Sequence, residues 1–241
     1  FPRLKTGFDL ENISNIFVNC SFTSFRDPDT NATTYQPFNN TENVTDFSFS
    51  FYRYQGTDLI LDMQEGTNFY SAFTNCSKWT TFPPGAVKQS CMNKATNINQ
   101  CWYGNSGLTS FPKLELPQVT DAEMAWKLCN KLTSFPAIDL PECRILDGAW
   151  MQCTGLTSFP TIDISKATTA RETWRECSAL TSFPSLTTDK IDDFYAAWYG
   201  CLSLTSFPSI DTSAGTNFQY TFYRCNNLSS CPAVDFSSGV E

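Results

Sequence analysis

The sequence contains no histidine, and this absence excludes most common catalytic designs. Without an imidazole there is no Ser-His-Asp or Cys-His machinery, no histidine-ligated metal and no side chain whose ordinary pKa lies near neutrality. Basic residues are also scarce, with 16 Lys+Arg against 24 Asp+Glu and a net charge of −8. Because nucleic-acid binding needs clustered cations, we expect no nucleic-acid partner.

Long apolar runs are missing as well. No segment approaches the roughly 20 apolar residues of a membrane-spanning helix, so we expect no membrane span. The chain starts at Phe1 instead of Met, which suggests processing or a fragment. Apolar residues nevertheless make up 41% of the chain, including 21 Phe and 6 Trp, which is enough for a folded core. We expect a folded protein without a cofactor or a metal.

One pentapeptide, Leu-Thr-Ser-Phe-Pro, recurs with a constant step of 24 residues. Its copies begin at Leu108, Leu132, Leu156, Leu180 and Leu204. A cysteine column precedes the leucines by three residues (Cys129, Cys153, Cys177, Cys201 and Cys225), and a tryptophan column precedes it by three more (Trp102, Trp126, Trp150, Trp174 and Trp198). One unit cannot bury these side chains alone but stacked units can, so the sequence predicts a solenoid of about nine turns.

Weaker copies extend the repeat toward the N-terminus. Phe73, Cys76, Trp79 and Phe82 fit the pattern, as do Phe51 with Tyr54 and Phe17 with Cys20 and Phe25. Insertions separate them, one in the polar stretch 27–45 and one near 84–101. We therefore divide the chain into an irregular N-terminal cap with a degenerate turn and a polar insertion (1–50), degenerate repeats with an insertion (51–99) and regular repeats with a truncated last copy (100–241).

Each turn is predicted to combine a short helix with a short parallel strand, which makes the fold class an α/β solenoid. Phe194, Ala197, Trp198 and Cys201 are spaced i, i+3, i+4 and i+7, as on the buried face of a helix. Thr-Ser-Phe is predicted to be the strand, which ends at the next proline because proline has no N–H for a ladder.

The unit from Ala197 to Phe218, which contains Ala-Trp-Tyr-Gly-Cys-Leu-Ser-Leu-Thr-Ser-Phe-Pro, resembles the BspA-like leucine-rich repeats of microbial surface proteins. It is especially similar to a variant found in tandem in virion proteins of tailed phages, notably marine ones. The resemblance covers residues 100–235 and implies a right-handed, leucine-rich-repeat-like solenoid on a surface, with a role in attachment or virion structure. Asn105 in place of Cys and Cys231 in place of Phe depart from the pattern.

Two columns of the pentapeptide are candidates for a contact stripe. The threonines are expected to face solvent, where a regular row could bind an ordered lattice such as ice or polysaccharide or could be a plain solvated strand face. The phenylalanines join that stripe if the strand alternates strictly from Leu, and otherwise lie in the core. The stripe would comprise Thr109, Thr133, Thr157, Thr181, Thr205, Phe111, Phe135, Phe159, Phe183 and Phe207.

The cysteine and tryptophan columns are predicted to be core. Thiolates could bind a soft metal, but the sequence lacks the Cys-x-x-Cys pairs typical of zinc sites. The tryptophans could form a carbohydrate- or base-stacking platform, but their spacing directs them inward. Off the column, Cys91 and Cys101 could close a disulfide in an oxidising medium. A further column, Asp139, Asp163, Asp211 and Asp235, could bind Ca²⁺, but turn closure through nearby backbone is the favoured interpretation.

Seven Asn-x-Ser/Thr sequons are candidate glycan acceptors, and most of them lie near the first insertion. They are Asn12, Asn19, Asn31, Asn39, Asn43, Asn75 and Asn227. In a chain rich in Ser and Thr some sequons arise by chance, so this pattern leaves open whether the protein is secreted and glycosylated.

The favoured hypothesis is a non-enzymatic structural or attachment protein of a virion surface, such as a fibre, decoration or appendage module. It would act in a homo-oligomer or larger assembly and contact sister subunits or a host surface glycan or protein, through the stripe or the 27–45 insertion. The alternative is a secreted or cell-surface microbial adhesin that could carry N-glycans. An enzyme would need a carboxylate pair such as Asp58 with Asp62 or Asp192 with Asp193, and regular turns offer no cleft for one.

Overall fold

The chain winds into a stack of parallel coils, each joined to the next by isolated backbone bridges. The computed structural model describes residues 12–18, 41, 43–56, 63–82 and 91–230. Most of the 27–45 insertion lies outside these residues, as do Cys20, Phe25, Cys231 and Asp235.

One line of bridges runs unbroken through nine coils of the described chain. It connects Asn12, Asp46, Asn68, Asn97, Asp121, Ile145, Thr169, Asp193 and Asn217. The step between bridged residues is 34, 22 and 29 over the first three links and 24 thereafter. The long steps of 34 and 29 fall where the sequence places the two insertions, so the predicted alignment of the weak N-terminal copies with the regular ones is confirmed.

A second line of bridges follows the pentapeptide, through Ser134, Ser158, Ser182, Ser206 and Ser230. The amide of Thr157 donates to the carbonyl oxygen of Thr133 at 3.1 Å, and the same bond recurs from Thr181 and Thr205. Parallel pairing at Thr-Ser-Phe is therefore present, but as a single bridge per coil. The bridge precedes the proline, whose missing N–H cannot extend it.

The segment predicted as a helix is a run of tight turns. Over 194–201 the amides of alternate residues donate to the next coil, for example Trp198 to the carbonyl oxygen of Thr221 at 2.9 Å. The amides of Ala197, Tyr199 and Cys201 between them donate three residues back, as Cys201 does to Trp198 at 3.2 Å. Ala196 and Gly200 have φ of 51° and 71°, which no α-helix contains. No described residue belongs to an α-helix or to a strand longer than one bridge.

The helical prediction was wrong about the backbone although its buried residues are correct. Ala197, Trp198 and Cys201 are fully buried or nearly so. Successive tight turns return a side chain to the core every three or four residues, as a helix does. In this stack a neighbouring coil lies within hydrogen-bonding reach, so its carbonyl oxygens replace the i−4 acceptors of a helix.

The core is a column of stacked aromatic rings, one from each coil. The column consists of Phe17, Phe51, Phe73, Trp102, Trp126, Trp150, Trp174, Trp198 and Phe222, with consecutive ring centroids 5.1–6.5 Å apart. Trp126 and Trp150 stack at 5.1 Å with an interplanar angle of 6°. The tryptophans are piled in line, so the predicted columns of like residues are confirmed.

Candidate contact surfaces

The threonine row, defined as Thr109, Thr133, Thr157, Thr181 and Thr205, is exposed along the stack. The hydroxyl groups of Thr109, Thr157, Thr181 and Thr205 donate to the neighbouring coil. Thr181 Oγ1 donates to the carbonyl oxygen of Thr157 at 3.2 Å, and Thr205 Oγ1 donates to that of Thr181 at 3.1 Å. Each such hydroxyl therefore offers a partner only its acceptor lone pairs. The row is a surface of methyl groups and hydroxyl acceptors.

The phenylalanine half of the predicted stripe lies in the core, and this part of the prediction needs correction. Phe111, Phe135, Phe159, Phe183 and Phe207 are only 6–7% exposed. They stack on one another with centroids 5.5–6.0 Å apart. Each also meets the tryptophan of its own coil edge to face at 4.7–4.9 Å.

The reason lies in the spacing of the buried positions. Strict alternation from Leu132 would turn Ser134 inward, but both Thr133 and Ser134 are exposed. Leu132, Phe135 and Ile138 are all buried, so the inward positions recur every three residues. With a single bridge per coil, no strand is long enough to impose a period of two.

The cysteine column consists of free thiols, which are buried at Cys129, Cys153, Cys177 and Cys201 and half-buried at Cys225. Each Sγ lies against the preceding coil, as where Cys153 donates to the carbonyl oxygen of Trp126 at 3.1 Å. Burial raises the pKa of Cys153 to about 12, and it raises the pKa of Cys177 well above its usual value. A thiol held protonated is neither a nucleophile nor a metal ligand. The four buried cysteines fill the core and offer no reactive site, whereas a hydrogen bond with Cys201 lowers the pKa of the half-buried Cys225.

Cys91 and Cys101 are also buried, and the structure does not join them in the predicted disulfide. Cys101 directly precedes Trp102 of the aromatic column, at the position that Ala125 has before Trp126 in the next coil. It lies close enough to Cys76 for the two thiols to interact electrostatically, and burial raises its pKa. This core position places its sulfur against the preceding coil, near Phe73 and Cys76.

Aspartates of the predicted corner close turns. Asp163 Oδ1 accepts the amide of Ser165 at 2.9 Å, and Asp211 Oδ1 accepts that of Ser213 at 2.9 Å. The amide and hydroxyl of Ser165 lower the pKa of Asp163, and the hydroxyl and amide of Ser213 lower the pKa of Asp211, because these hydrogen bonds favour the ionised form. Among the described residues no group of His, Cys, Asp and Glu could hold a metal ion.

A second column of turn-closing Asx residues escaped the sequence analysis. It follows the first line of bridges except at Ile145 and Thr169. Asp121 Oδ1 accepts the amide of Glu123 and Asp193 Oδ1 accepts that of Tyr195, each at 2.9 Å. The signal was an Asn or Asp at a fixed distance before the core aromatic residue. Asp193 also bonds Arg171, which gives this member of the suggested catalytic pair a structural partner. Asp58 and Asp62 lie outside the described residues.

The sequons differ in accessibility. Asn43 and Asn227 are exposed, and Asn227 Nδ2 donates to the carbonyl oxygen of Leu202 at 2.8 Å. Asn12 is exposed but bonded to Asp46. Asn75 is only half exposed, with φ of 59°. The remaining candidate acceptors, Asn19, Asn31 and Asn39, lie outside the described residues.

Tyrosines are concentrated on one face of the stack, and the sequence analysis missed this. Every tyrosine of the described residues except the buried Tyr54 lies one residue after, or two or three residues before, a core aromatic residue. These are Tyr52, Tyr70, Tyr103, Tyr195, Tyr199, Tyr220 and Tyr223. We call this the tyrosine face. Because the three positions flank an inward ring within one coil, their side chains point away from the core.

Four members of this face form the tyrosine patch, defined as Tyr195, Tyr199, Tyr220 and Tyr223. Tyr199 and Tyr223 stack with centroids 5.4 Å apart. Tyr220 meets Tyr195 edge to face at 6.0 Å and Tyr223 at 5.8 Å. Tyr220 and Tyr223 are 48% and 56% exposed, the two largest values among the exposed large hydrophobic side chains of the described chain.

Arginines border the patch and are themselves paired. Arg171 Cζ lies 4.7 Å from the ring centre of Tyr195, and Arg175 Cζ lies 4.5 Å from that of Tyr199. Arg171 also bonds Asp193 at 2.6 Å. Arg175 contacts Glu172 and lies 3.5 Å from Glu176. These contacts hold the rings in place and neutralise the cations.

Comparison with known proteins yields one distant structural likeness. No protein-family model and no curated protein matches this sequence. Among solved structures, the chain is similar to a leucine-rich repeat protein from Bacteroides ovatus, with 17% identity and a TM-score of 0.40 over 78% of this chain. The chain spans 58% of the length of that protein. Within its described part it has no helix long and apolar enough to span a bilayer.

Proposed function

We propose that this protein is a non-enzymatic structural or attachment module on a virion surface, of the kind that forms fibres, decorations or appendages. The observation that carries the proposal is the single aromatic column that continues through all nine described coils. A continuous core without a break between units favours a rigid scaffold, and repeated coils present the same surface positions at a constant spacing.

The distribution of polar groups supports a scaffold. Four thiols of the cysteine column, those of Cys129, Cys153, Cys177 and Cys201, are buried and have raised pKa values. Asp163 and Asp211 of the corner accept backbone amides. The thiols and carboxylates that could take part in catalysis or metal binding thus stabilise the fold. What remains exposed are rows of like side chains, the threonine row and the tyrosine face, which suit contacts with sister subunits or with a host surface glycan or protein.

Mass spectrometry of purified particles tests the proposal. Peptides from the regular repeats, residues 100–230, should be present in stoichiometric amounts and should be lost when surface appendages are sheared off. Particles that lack these peptides, together with their presence in the envelope fraction of cells, would overturn the virion assignment.

The second candidate is a secreted or cell-surface adhesin, and the exposed sequons favour it. Asn43 and Asn227 are accessible acceptors, whereas Asn75 is half buried and serves as an internal control. Hexose-bearing peptides at Asn43 or Asn227, with Asn75 bare, would support the adhesin. Unmodified asparagines in purified particles would support the virion protein.

A further inference from the structure

The geometry points to the tyrosine patch as a binding surface for a neutral glycan. This inference rests on the proposed attachment function and assigns a ligand class to one end of the tyrosine face. The patch combines two well exposed rings, Tyr220 and Tyr223, with two rings, Tyr195 and Tyr199, that Arg171 and Arg175 cover.

The chemistry of the patch fits a sugar. The half-exposed and exposed side chains of segments 171–176, 195–199 and 219–224 are Arg, Glu, Tyr and Gln, together with Phe222 of the aromatic column, and none is aliphatic. A pyranose ring has an apolar C–H face and a rim of hydroxyl groups, which match an aromatic face beside hydrogen-bonding groups.

The charge balance selects a neutral ligand. The cations of the patch are Arg171, Arg175 and Arg224, and the anions are Glu172, Glu176 and Asp193, so their charges sum to zero. Arg171 and Arg175 are ion-paired, so neither is free to bind a carboxylate or sulfate. The whole chain carries −8, which repels an anionic polymer. The patch is therefore a neutral aromatic surface on an acidic protein.

The rings are also organised before any ligand binds. Tyr199 lies between the guanidinium group of Arg175 and the ring of Tyr223. Tyr195 is held in the same way by Arg171 and by the edge of Tyr220. Little side-chain entropy remains to be lost on binding, and this favours affinity from a few contacts.

The test measures binding of the full chain to immobilised dextran, mannan and galactan, with alginate as the acidic comparison. The double variant Tyr220→Ala with Tyr223→Ala removes the exposed rings from the surface without touching the core. The matched control is Tyr103→Ala, which removes a tyrosine of the same face that lies beneath Lys127, outside the patch. Circular dichroism and thermal melting check that each variant is folded.

We expect binding to at least one neutral polymer, a loss of about tenfold or more in the double variant and a change below about twofold in Tyr103→Ala. Tyr223→Phe should retain most of the binding, because it keeps the ring. The inference falls if the wild-type chain binds none of the neutral polymers, if it prefers alginate or a host protein, or if the double variant binds undiminished.

Adherence to host cells separates this inference from the proposed function. A double variant that adheres as well as the wild-type chain removes the patch from attachment and leaves the attachment role intact. A wild-type chain that neither adheres nor occurs in particles removes the proposed function itself, whatever the polymers show.

Discussion

Replacing Trp150 with alanine is predicted to open the stack at its middle, whereas replacing it with phenylalanine is not. The Trp150 ring lies 5.1 Å from Trp126 and 5.9 Å from Trp174. It meets Phe135 and Phe159 edge to face at 5.2 and 4.8 Å. The side chain is fully buried, so alanine leaves a cavity that touches three coils.

The magnitude follows from burial and ring contacts. Truncation of a buried tryptophan to alanine costs about 3–5 kcal/mol, a large part of the roughly 5–15 kcal/mol that stabilises a typical domain. Phenylalanine loses less volume and removes the indole Nε1–H, which is buried without a hydrogen-bond acceptor. Since such an orphaned donor costs about 1–3 kcal/mol, its removal offsets much of the lost packing. We expect Trp150→Phe to remain within about 1.5 kcal/mol of the wild-type chain.

Hydrogen exchange measured by mass spectrometry is the appropriate assay, because coils of a solenoid contact only their neighbours. Amides of 146–153 and 170–177 should lose about a thousandfold of their protection in Trp150→Ala, and those of 46–53 should change little. Equal losses of protection in Trp150→Ala and Trp150→Phe would contradict the argument that the buried indole N–H lacks an acceptor. A loss below about tenfold, or one spread evenly over all coils, would contradict the stacked column.

Three further perturbations test other features. Burial raises the pKa of Cys153 to about 12, so the native state holds the proton more tightly than the unfolded chain. The free energy of unfolding, measured with urea, should decline above about pH 8.5, and it should decline less steeply in Cys153→Ala. Native Cys153 should also resist labelling by iodoacetamide at pH 8. Rapid labelling at that pH would refute its burial. Asp163 has a lowered pKa, so its contribution to stability is present at neutral pH and lost in acid. Asp163→Asn keeps an acceptor oxygen but not the charge, so it should be slightly less stable than the wild-type chain at pH 7 and lose less stability on acidification. An unchanged loss of stability in acid would contradict the role of this carboxylate in the turn. Thr181→Val removes the exposed hydroxyl bond to Thr157 and should lower the unfolding free energy by about 1 kcal/mol or less, whereas a loss above about 2 kcal/mol would show that the row is not solvated.

Much of the architecture could be predicted because one coil repeats the environment of the next. The step of 24 residues and the inward spacing of Trp198 and Cys201 predicted stacked columns, and the aromatic column confirms them. The insertions could be placed because an interrupted period shows where residues were added. The bridge from Asn68 to Asn97 reproduces the expected step of 29.

The backbone of each coil could not be predicted in the same way. A short helix and a run of tight turns bury the same residues, so spacing alone cannot separate them. The choice depends on a hydrogen-bond acceptor some two dozen residues distant, such as the carbonyl oxygen of Thr221 for the amide of Trp198. Whether Phe135 is buried or exposed could not be predicted for a related reason. A three-residue segment is equally compatible with inward positions at every second or every third residue.

The amino-acid sequence by itself determined the period, the alignment of coils and the inward columns, because burial of apolar side chains leaves a pattern within each repeat. Only the tertiary structure decided which backbone amides bond to a neighbouring coil, whether the phenylalanines are covered, and which tyrosines meet. Tyr199 and Tyr223 are 24 residues apart and become neighbours only when one coil lies on the next. Contacts of this kind exist between coils, and no single coil contains the information that specifies them.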